Sequence, residues 1–403
     1  MKTNKELEIY IHIPFCVRKC NYCDFLSFPG CEDIHGEYVR ALIREIKAYA
    51  GLFGNREVSS VFIGGGTPSI LQPSLITDIS EAVFKLFNVS KDAEFTIESN
   101  PGTLSDKKLL SYRAAGINRI SMGLQSADND MLRKLGRIHT YEEFLDNYDK
   151  ARKAGFENIN IDLISGLPGE SKAGFEKTLR KVTGLGPEHI SSYGLIIEPG
   201  TPFFDIYGEE AEAEERKSLP SDEEERAIYY MTRDILKDAG YHQYEISNYA
   251  LKGYECRHNK GYWTRKEYAG FGLGASSMYG ELRYKNTPDL GDYLNADFDQ
   301  NVQTVMSDVS SEPFEERDEL ALKEIKKLSK EESMSEMMFL GLRLSDGVCK
   351  QMFYDAYGML PEDVYDKEIA KFKAEGLLDE NDEYIYLTEK GMDLANYVMS
   401  AFV

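Results

Sequence analysis

The sequence predicts an α/β protein: a partial (β/α)6 barrel, then an α+β segment, then a small C-terminal winged-helix-like domain. Three observations point there. Six short β-rich runs alternate with amphipathic helical runs before residue 200, which implies parallel pairing in an open doubly wound sheet or a (β/α) barrel. Glycine or polar residues fall near the C-terminal ends of five successive strands, where barrel active sites are assembled. After Gly200 the alternation stops and a different order of elements begins.

The expected strands are 7–13, 59–63, 94–98, 119–123, 158–164 and 189–196. Amphipathic stretches at 36–49, 73–87, 105–115 and 140–154 read as helices between them. Six units are fewer than a closed eight-unit barrel needs. Cys16 follows the first strand, the glycines 64–66 the second, and Glu98 ends the third. Gln125 follows the fourth, and Asp162 lies in the fifth. Residues 208–226 carry nine acidic and three basic side chains, a solvated loop entering a helix at 223–239. A second charged run begins around Pro313. The tail reads helix, helix, helix, hairpin, helix at 335–343, 349–357, 362–375, 377–387 and 389–399. That order is winged-helix-like, with an acidic face better suited to protein contact or a lid than to DNA. The expected division is 1–205 for the barrel, 206–312 for its extension and 313–403 for the C-terminal domain.

Hydrophobic residues at 42% and charged residues at 29% rule out a wholly disordered chain. A formal charge of −22 argues against sequence-independent nucleic-acid binding, which needs a net basic face. The longest uncharged stretch, 58–77, holds three glycines and two prolines, unsuited to a membrane span. The opening MKTNKELEIY lacks an apolar signal core, so the expected location is the cytoplasm.

Three of the six cysteines fall within eight residues, as CVRKCNYC: Cys16, Cys20 and Cys23. Clustered thiols in a cytosolic chain point to metal or redox chemistry more than to disulfides. Zinc normally takes four ligands, and no CxxC or HxxxH pair elsewhere completes such a site. Three thiolates suit a four-iron cluster with one iron left open for another ligand. Cys31 and Cys349 read as packing residues, and Cys256 stands two positions before a histidine of interest, His258. His12 alternates with Ile11 and Ile13 and points toward the cluster side, whereas His35, His139, His189 and His242 read as structural or surface groups.

The run YIHIPFCVRKCNYCDF at 10–25 resembles the signature of the radical S-adenosylmethionine (SAM) superfamily. The resemblance implies a [4Fe–4S] cluster on Cys16, Cys20 and Cys23, whose open iron chelates the amino and carboxylate groups of SAM. One electron from the cluster then releases a 5′-deoxyadenosyl radical. It further implies a SAM site from Tyr10 and Tyr22, from Gly65, Gly66 and Thr67 in GGGTPS, and from Glu98, Gln125, Arg137 and Asp162. The glycines would let backbone groups approach the methionine ammonium. A carboxylate suits ribose hydroxyls, and a guanidinium suits a carboxylate.

Within that superfamily the chain is similar, over nearly its whole length, to the branch of the anaerobic coproporphyrinogen III oxidase. HISSYGLIIEPGTPF at 189–203, GYHQYEISNYA at 240–250 and the C-terminal module carry the likeness. The oxidase has CxxxCxxCxC, whereas Phe25 stands at the final position here. The oxidase also has an extension before the motif, for which a motif starting at Cys16 leaves no room. Both departures match the heme-chaperone group of the branch, as does the HNxxYW pattern in CRHNKGYW at 256–263. The resemblance therefore implies heme as cargo, bound by His258, Asn259, Tyr262 and Trp263. Arg257, Lys260, Arg265 and Lys266 form a basic island suited to porphyrin propionates. Implied partners are an apo-hemoprotein acceptor and an electron donor, and a homodimer stays open. The alternative is the oxidase reaction itself, oxidative decarboxylation of coproporphyrinogen III to protoporphyrinogen IX. Whether the radical machinery turns over a substrate also stays open.

Overall fold

The computed structural model describes residues 6–53, 56–308 and 321–403. The expected boundary at 312/313 and the charged run around Pro313 lie outside the described residues. Six parallel strands form in chain order: β1 (Glu6–Ile13), β2 (Glu57–Gly65), β3 (Asn88–Ser99), β4 (Arg119–Gln125), β5 (Ile159–Ser165) and β6 (His189–Gly194). Six more follow: β7 (His242–Gln243), β8 (Asn248–Ala250), β9 (Tyr268–Phe271), β10 (Ser276–Tyr279), β11 (Leu282–Asn286) and β12 (Leu322–Lys327). All twelve make one sheet in the order β12-β11-β10-β9-β1-β2-β3-β4-β5-β6-β8-β7. The two edges do not pair with each other, so the barrel is open. Strand β9 runs parallel to β1, giving a seventh parallel strand. The sequence reading gives six barrel units and one or two short strands after the helix 223–239, but YAGF is too short and too rich in small residues to register as a seventh parallel strand.

Alternation along each strand explains the layering. Leu7, Ile9, Ile11 and Ile13 of β1, Val61 and Ile63 of β2, and Phe95 and Ile97 of β3 point outward and are fully buried under helices. Ile120 and Leu124 of β4 and Ile159, Ile161 and Leu163 of β5 do the same. The covering helices include α1 (His35–Phe53), α2 (Pro73–Leu86), α3 (Asp106–Ala114), α4 (Asn129–Lys134), α5 (Tyr141–Lys153) and α6 (Lys172–Thr183). Their starts follow capping chemistry: Thr140 and Glu143 form a reciprocal capping box on α5. The inward-facing alternates are mostly polar, with Phe62 and Ile164 among them, and they line a bore.

The C-terminal domain has its own core, built on Met334, Met338, Phe353, Phe372, Ile385 and Val398. Helices Lys330–Gly341, Lys350–Tyr357 and Asp366–Ala374 precede the hairpin Leu378–Glu380 and Tyr384–Leu387, which pairs with Val348–Cys349. No helix among the described residues is long and apolar enough to cross a membrane.

Candidate functional site

The C-terminal ends of the parallel strands open onto a cleft of about 1500 Å³, its mouth included. Cys16, Cys20 and Cys23 all line it, together with Gly65, Gly66, Thr67, Glu98, Gln125, Arg137 and Asp162. Residues scattered over the first 162 positions are thus brought to one rim.

The cysteine loop is tied down from both ends. Phe28 N–H donates to Pro14 C=O at 2.8 Å, and Asn21 N–H donates to Leu135 C=O at 3.0 Å. The Asn21 carbonyl accepts from Phe203 N–H at 2.9 Å, so the loop is clamped between α4 and the helix Pro202–Tyr207. Arg137 emerges just beyond α4 and donates from Nη1 to Cys20 Sγ at 3.5 Å. Its Nη2 donates to Asn100 Oδ1 at 2.6 Å and to Gly123 C=O at 2.5 Å. Its Nε is buried without a partner among the described residues. Burial pushes the Cys23 thiol up to about 11, with Cys20 and Cys16 adding to the shift. A cation must therefore displace that proton before Cys23 can ligate.

The glycine turn after β2 is required by close approach. A Cβ on Gly66 would stand 2.6 Å from Phe15 C=O, and one on Gly65, where φ is +113°, 2.6 Å from the His12 ring. Gly65 N–H donates to Glu98 Oε2 at 2.9 Å. Thr67 Oγ1 accepts from Asn100 Nδ2 at 2.7 Å and lies 3.4 Å from Cys16 Sγ. Burial raises Glu98 to about 8, helped by the charge of Asp162 and opposed by the Gly65 N–H. Gln125 has a left-handed φ of +70°, at a register shift in β4 against β5. Such a bulge re-aims a side chain at a strand end, here into the cleft.

Two tyrosines separate. Tyr22 lines the cleft. Tyr10 does not; it sits one layer down the bore, its hydroxyl 3.0 Å from His12 Nδ1. Tyr10 stands two residues before His12 on the inward face of β1, close enough to Glu98 to feel its charge. His12 Nε2 meets Leu26 C=O at 3.0 Å and so braces the loop that follows Cys23. Sequence reasoning missed Asn100, which joins Arg137 to Thr67, and Ser121 and Tyr193, which also line the cleft. Strand alternation offered Ser121, two residues before Gly123; nothing in IESNPGT singled out Asn100.

The HNxxYW segment lies at the other end of the bore. Helix Arg257–Trp263 plugs the base of the barrel. Its opening N–H groups, from Arg257 and His258, donate to the Glu94 carboxylate at 3.1 and 3.2 Å. His258 is 2% exposed, with Nδ1 2.9 Å from Ser60 Oγ and Nε2 3.1 Å from the Tyr262 hydroxyl. Burial lowers it to about 3. Trp263 carries the Arg343 guanidinium on its face at 4.3 Å. The four residues expected to meet a heme, His258, Asn259, Tyr262 and Trp263, all lie on this helix. Both imidazole nitrogens are engaged and Arg343 covers one face of the indole, so His258 has no free nitrogen in this arrangement. Three of the four basic residues nearby are also engaged: Lys266 pairs with Glu6 at 2.6 Å, Arg265 with Glu336 at 3.0 Å, and Arg257 donates to Asp92 C=O at 2.8 Å.

The rim residues fit an iron–sulfur cluster with an organic cofactor beside it. Among the described residues no group of three His, Cys, Asp or Glu converges to hold a single metal ion. A cluster asks for something else, because each thiolate takes its own iron around a shared space. The three thiols border one cleft, with a buried guanidinium, a glycine turn and two carboxylates beside them.

Comparison with known proteins agrees. Residues 10–182 match the Radical SAM superfamily and residues 328–394 the HemN C-terminal domain. The chain resembles the solved coproporphyrinogen III oxidase HemN of Escherichia coli, a radical SAM enzyme, with TM-score 0.81 and 25% identity. That likeness covers 100% of this chain and 91% of the other. Fold and rim thus define a radical SAM protein, a class that implies a [4Fe–4S] cluster and SAM. Proteins called heme chaperone HemW are similar over the full length: that of Bacillus subtilis is 34% identical, covering 98% of both chains. That of Escherichia coli is also 34% identical, over 98% of both. The chain belongs to the HemW family.

Proposed function

We propose that this chain is a heme chaperone of the cytoplasm, carrying a [4Fe–4S] cluster, SAM and heme, and passing heme to an apo-hemoprotein acceptor. The observation that supports this reading is the full-length likeness to proteins named heme chaperones. Phe25, where the oxidase carries a further cysteine, favours it too. Cys16, Cys20 and Cys23 would hold the cluster; Tyr10, Tyr22, Gly65, Gly66, Thr67, Glu98, Gln125, Arg137 and Asp162 would hold SAM. When bound and reduced by an electron donor, the pair supplies one-electron cleavage of a carbon–sulfur bond. The chain's own part is electrostatic and steric. Arg137 places fixed positive charge beside Cys20, the glycine turn keeps Cβ atoms out of the cleft, and Glu98 with Asp162 provides acceptors for hydroxyls. Heme ligation through His258 belongs to this reading only with one of its ring nitrogens released from Ser60 or Tyr262.

The oxidase reaction is a second reading, favoured by the TM-score of 0.81 to HemN. One experiment separates the two. Anaerobically reconstituted protein is incubated with SAM, reductant and coproporphyrinogen III; products are followed by mass spectrometry, and heme is titrated in parallel. The chaperone reading expects stoichiometric heme binding and an unchanged tetrapyrrole mass. Loss of two carboxyl groups as carbon dioxide would replace it with the oxidase.

A further inference from the structure

A buried chain of hydrogen bonds runs down the bore from Asp162 at the rim to the backbone of Cys256 at the base. Its donors and acceptors follow from its two ends. Cys256 N–H can only donate, and it does so to the Tyr244 hydroxyl at 3.3 Å. The hydroxyl lies 2.8 Å from His189 Nε2 and donates to it once the ring's single proton sits on Nδ1. His189 is fully buried, and burial together with the Arg119 charge holds its pKa well below the usual imidazole value. It therefore carries a single proton, which the Asn160 Oδ1 acceptor at 2.6 Å places on Nδ1. Ser191 Oγ donates to the same oxygen at 3.2 Å.

With its carbonyl committed, Asn160 turns its amide nitrogen the other way. Nδ2 donates to Asp162 Oδ1 at 2.8 Å and to Ser121 Oγ at 2.7 Å. Ser121, having accepted, donates to Asp162 Oδ2 at 2.9 Å. The rim end demands the same polarity, since a flipped Asn160 would set its carbonyl oxygen against a carboxylate oxygen at hydrogen-bond distance. Every member is satisfied, and a fully satisfied buried network holds one geometry.

We propose that His189 and Asn160, backed by Tyr244, are positioning residues that fix Asp162 as a two-oxygen acceptor facing the cofactor cleft. Through Cys256, the segment that opens the HNxxYW helix is tied to the same site. This deepens the proposed function and rests on its placement of SAM against Asp162.

The test is the SAM affinity of anaerobically reconstituted full-length variants, by equilibrium dialysis with labelled SAM. Iron content and unfolding midpoint are read on each. Asp162→Ala serves as the reference and is expected to bind weakly. His189→Leu removes both ring contacts and should weaken SAM about tenfold to a hundredfold, the range for a lost hydrogen bond that orients a charged group. His189→Asn, whose amide N–H can stand in for Nδ1–H, should recover affinity to within about threefold of the parent. A merely structural histidine would not show that rescue. Tyr244→Phe keeps the ring, so it folds even if the leucine variant does not, and it should weaken SAM about threefold to tenfold. Full affinity in His189→Leu or in Tyr244→Phe, with Asp162→Ala weak, overturns the positioning role and leaves the SAM site standing. An asparagine variant as poor as the leucine variant overturns it also. A parent that does not bind SAM, or Asp162→Ala at full affinity, removes the reading beneath and the proposal with it.

Discussion

Two carboxyls at opposite ends of one bore show how position sets chemistry at the scale of a residue. Glu98 at the rim is raised to about 8 by burial, yet it keeps a hydrogen bond from Gly65 N–H. Glu8 at the base is also raised to about 8 by burial, partly offset by Lys266 and by the neighbouring Ser60 hydroxyl. Glu8 is thus neutral in the folded chain at pH values where the unfolded chain has lost the proton. The folded state binds more protons between about 4.5 and about 8, so this group's contribution to stability is full below 4.5 and is lost as pH rises through that window. Glu8→Gln copies the protonated shape and removes the titration. It should raise the unfolding midpoint at about pH 7.5 by about 2–4 °C, with the gain fading toward about pH 4.5. Thermal unfolding measured across that range checks it; a variant whose pH slope matches the parent's would show that Glu8 stays ionised.

The barrel strands were legible as elements because alternation leaves a period in the sequence: Leu7, Ile9, Ile11 and Ile13 face the helices, with Glu8, Tyr10 and His12 between them. The rim was legible for a related reason, since glycine and carboxylate are unusual at strand ends and Cys16, Gly65, Glu98 and Asp162 all carry that mark. The helix Arg257–Trp263 was not. A histidine in such a motif looks like a ligand, and nothing local reveals that Glu94 and Ser60, some 160 to 200 positions earlier, claim His258 from inside the barrel. The clearest sign of that burial is Gly261, where a Cβ would collide with the Glu8 carboxylate. Gly261→Ala should therefore destabilise the protein by about 1–3 kcal/mol, the cost of overpacking. In a Glu8→Ala background the same change should cost much less, because the collision partner is gone. Denaturant unfolding of the four proteins measures the coupling, and additive losses would mean that the helix does not seat on Glu8.

At the scale of the whole molecule the C-terminal domain has its own core and is fastened to the barrel and its extension at several places, among them Arg343 with Glu245 and Ser345 with the Gln243 and Tyr244 carbonyls. Arg226 meets Asp393 at 2.8 Å beside the sixth parallel strand, an exposed pair of small worth. Arg265 is different: its side chain is 9% exposed and reaches across from the end of the HNxxYW helix. Nε donates to Glu336 at 3.0 Å, Nη1 to Ser333 Oγ at 2.6 Å and to the Tyr357 hydroxyl at 2.8 Å, and Nη2 to Glu281 at 3.1 Å. Its φ of +53° is a left-handed backbone that a non-glycine residue adopts at a cost, which those bonds offset. Arg283 adds a second donor to Glu336 at 2.7 Å, so removing Arg265 leaves that carboxylate partly satisfied. The expected loss in Arg265→Met is accordingly about 2–3 kcal/mol, less than for a fully orphaned buried charge. Because that loss falls on the joint and not on either core, calorimetry should split one unfolding transition into two, with the C-terminal domain melting first. Arg265→Lys should sit between the parent and the methionine variant, since an ammonium is a point charge and cannot serve acceptors spread over a planar fork. A methionine variant that unfolds like the parent would mean that the other contacts, and not this guanidinium, hold the domain to the barrel base.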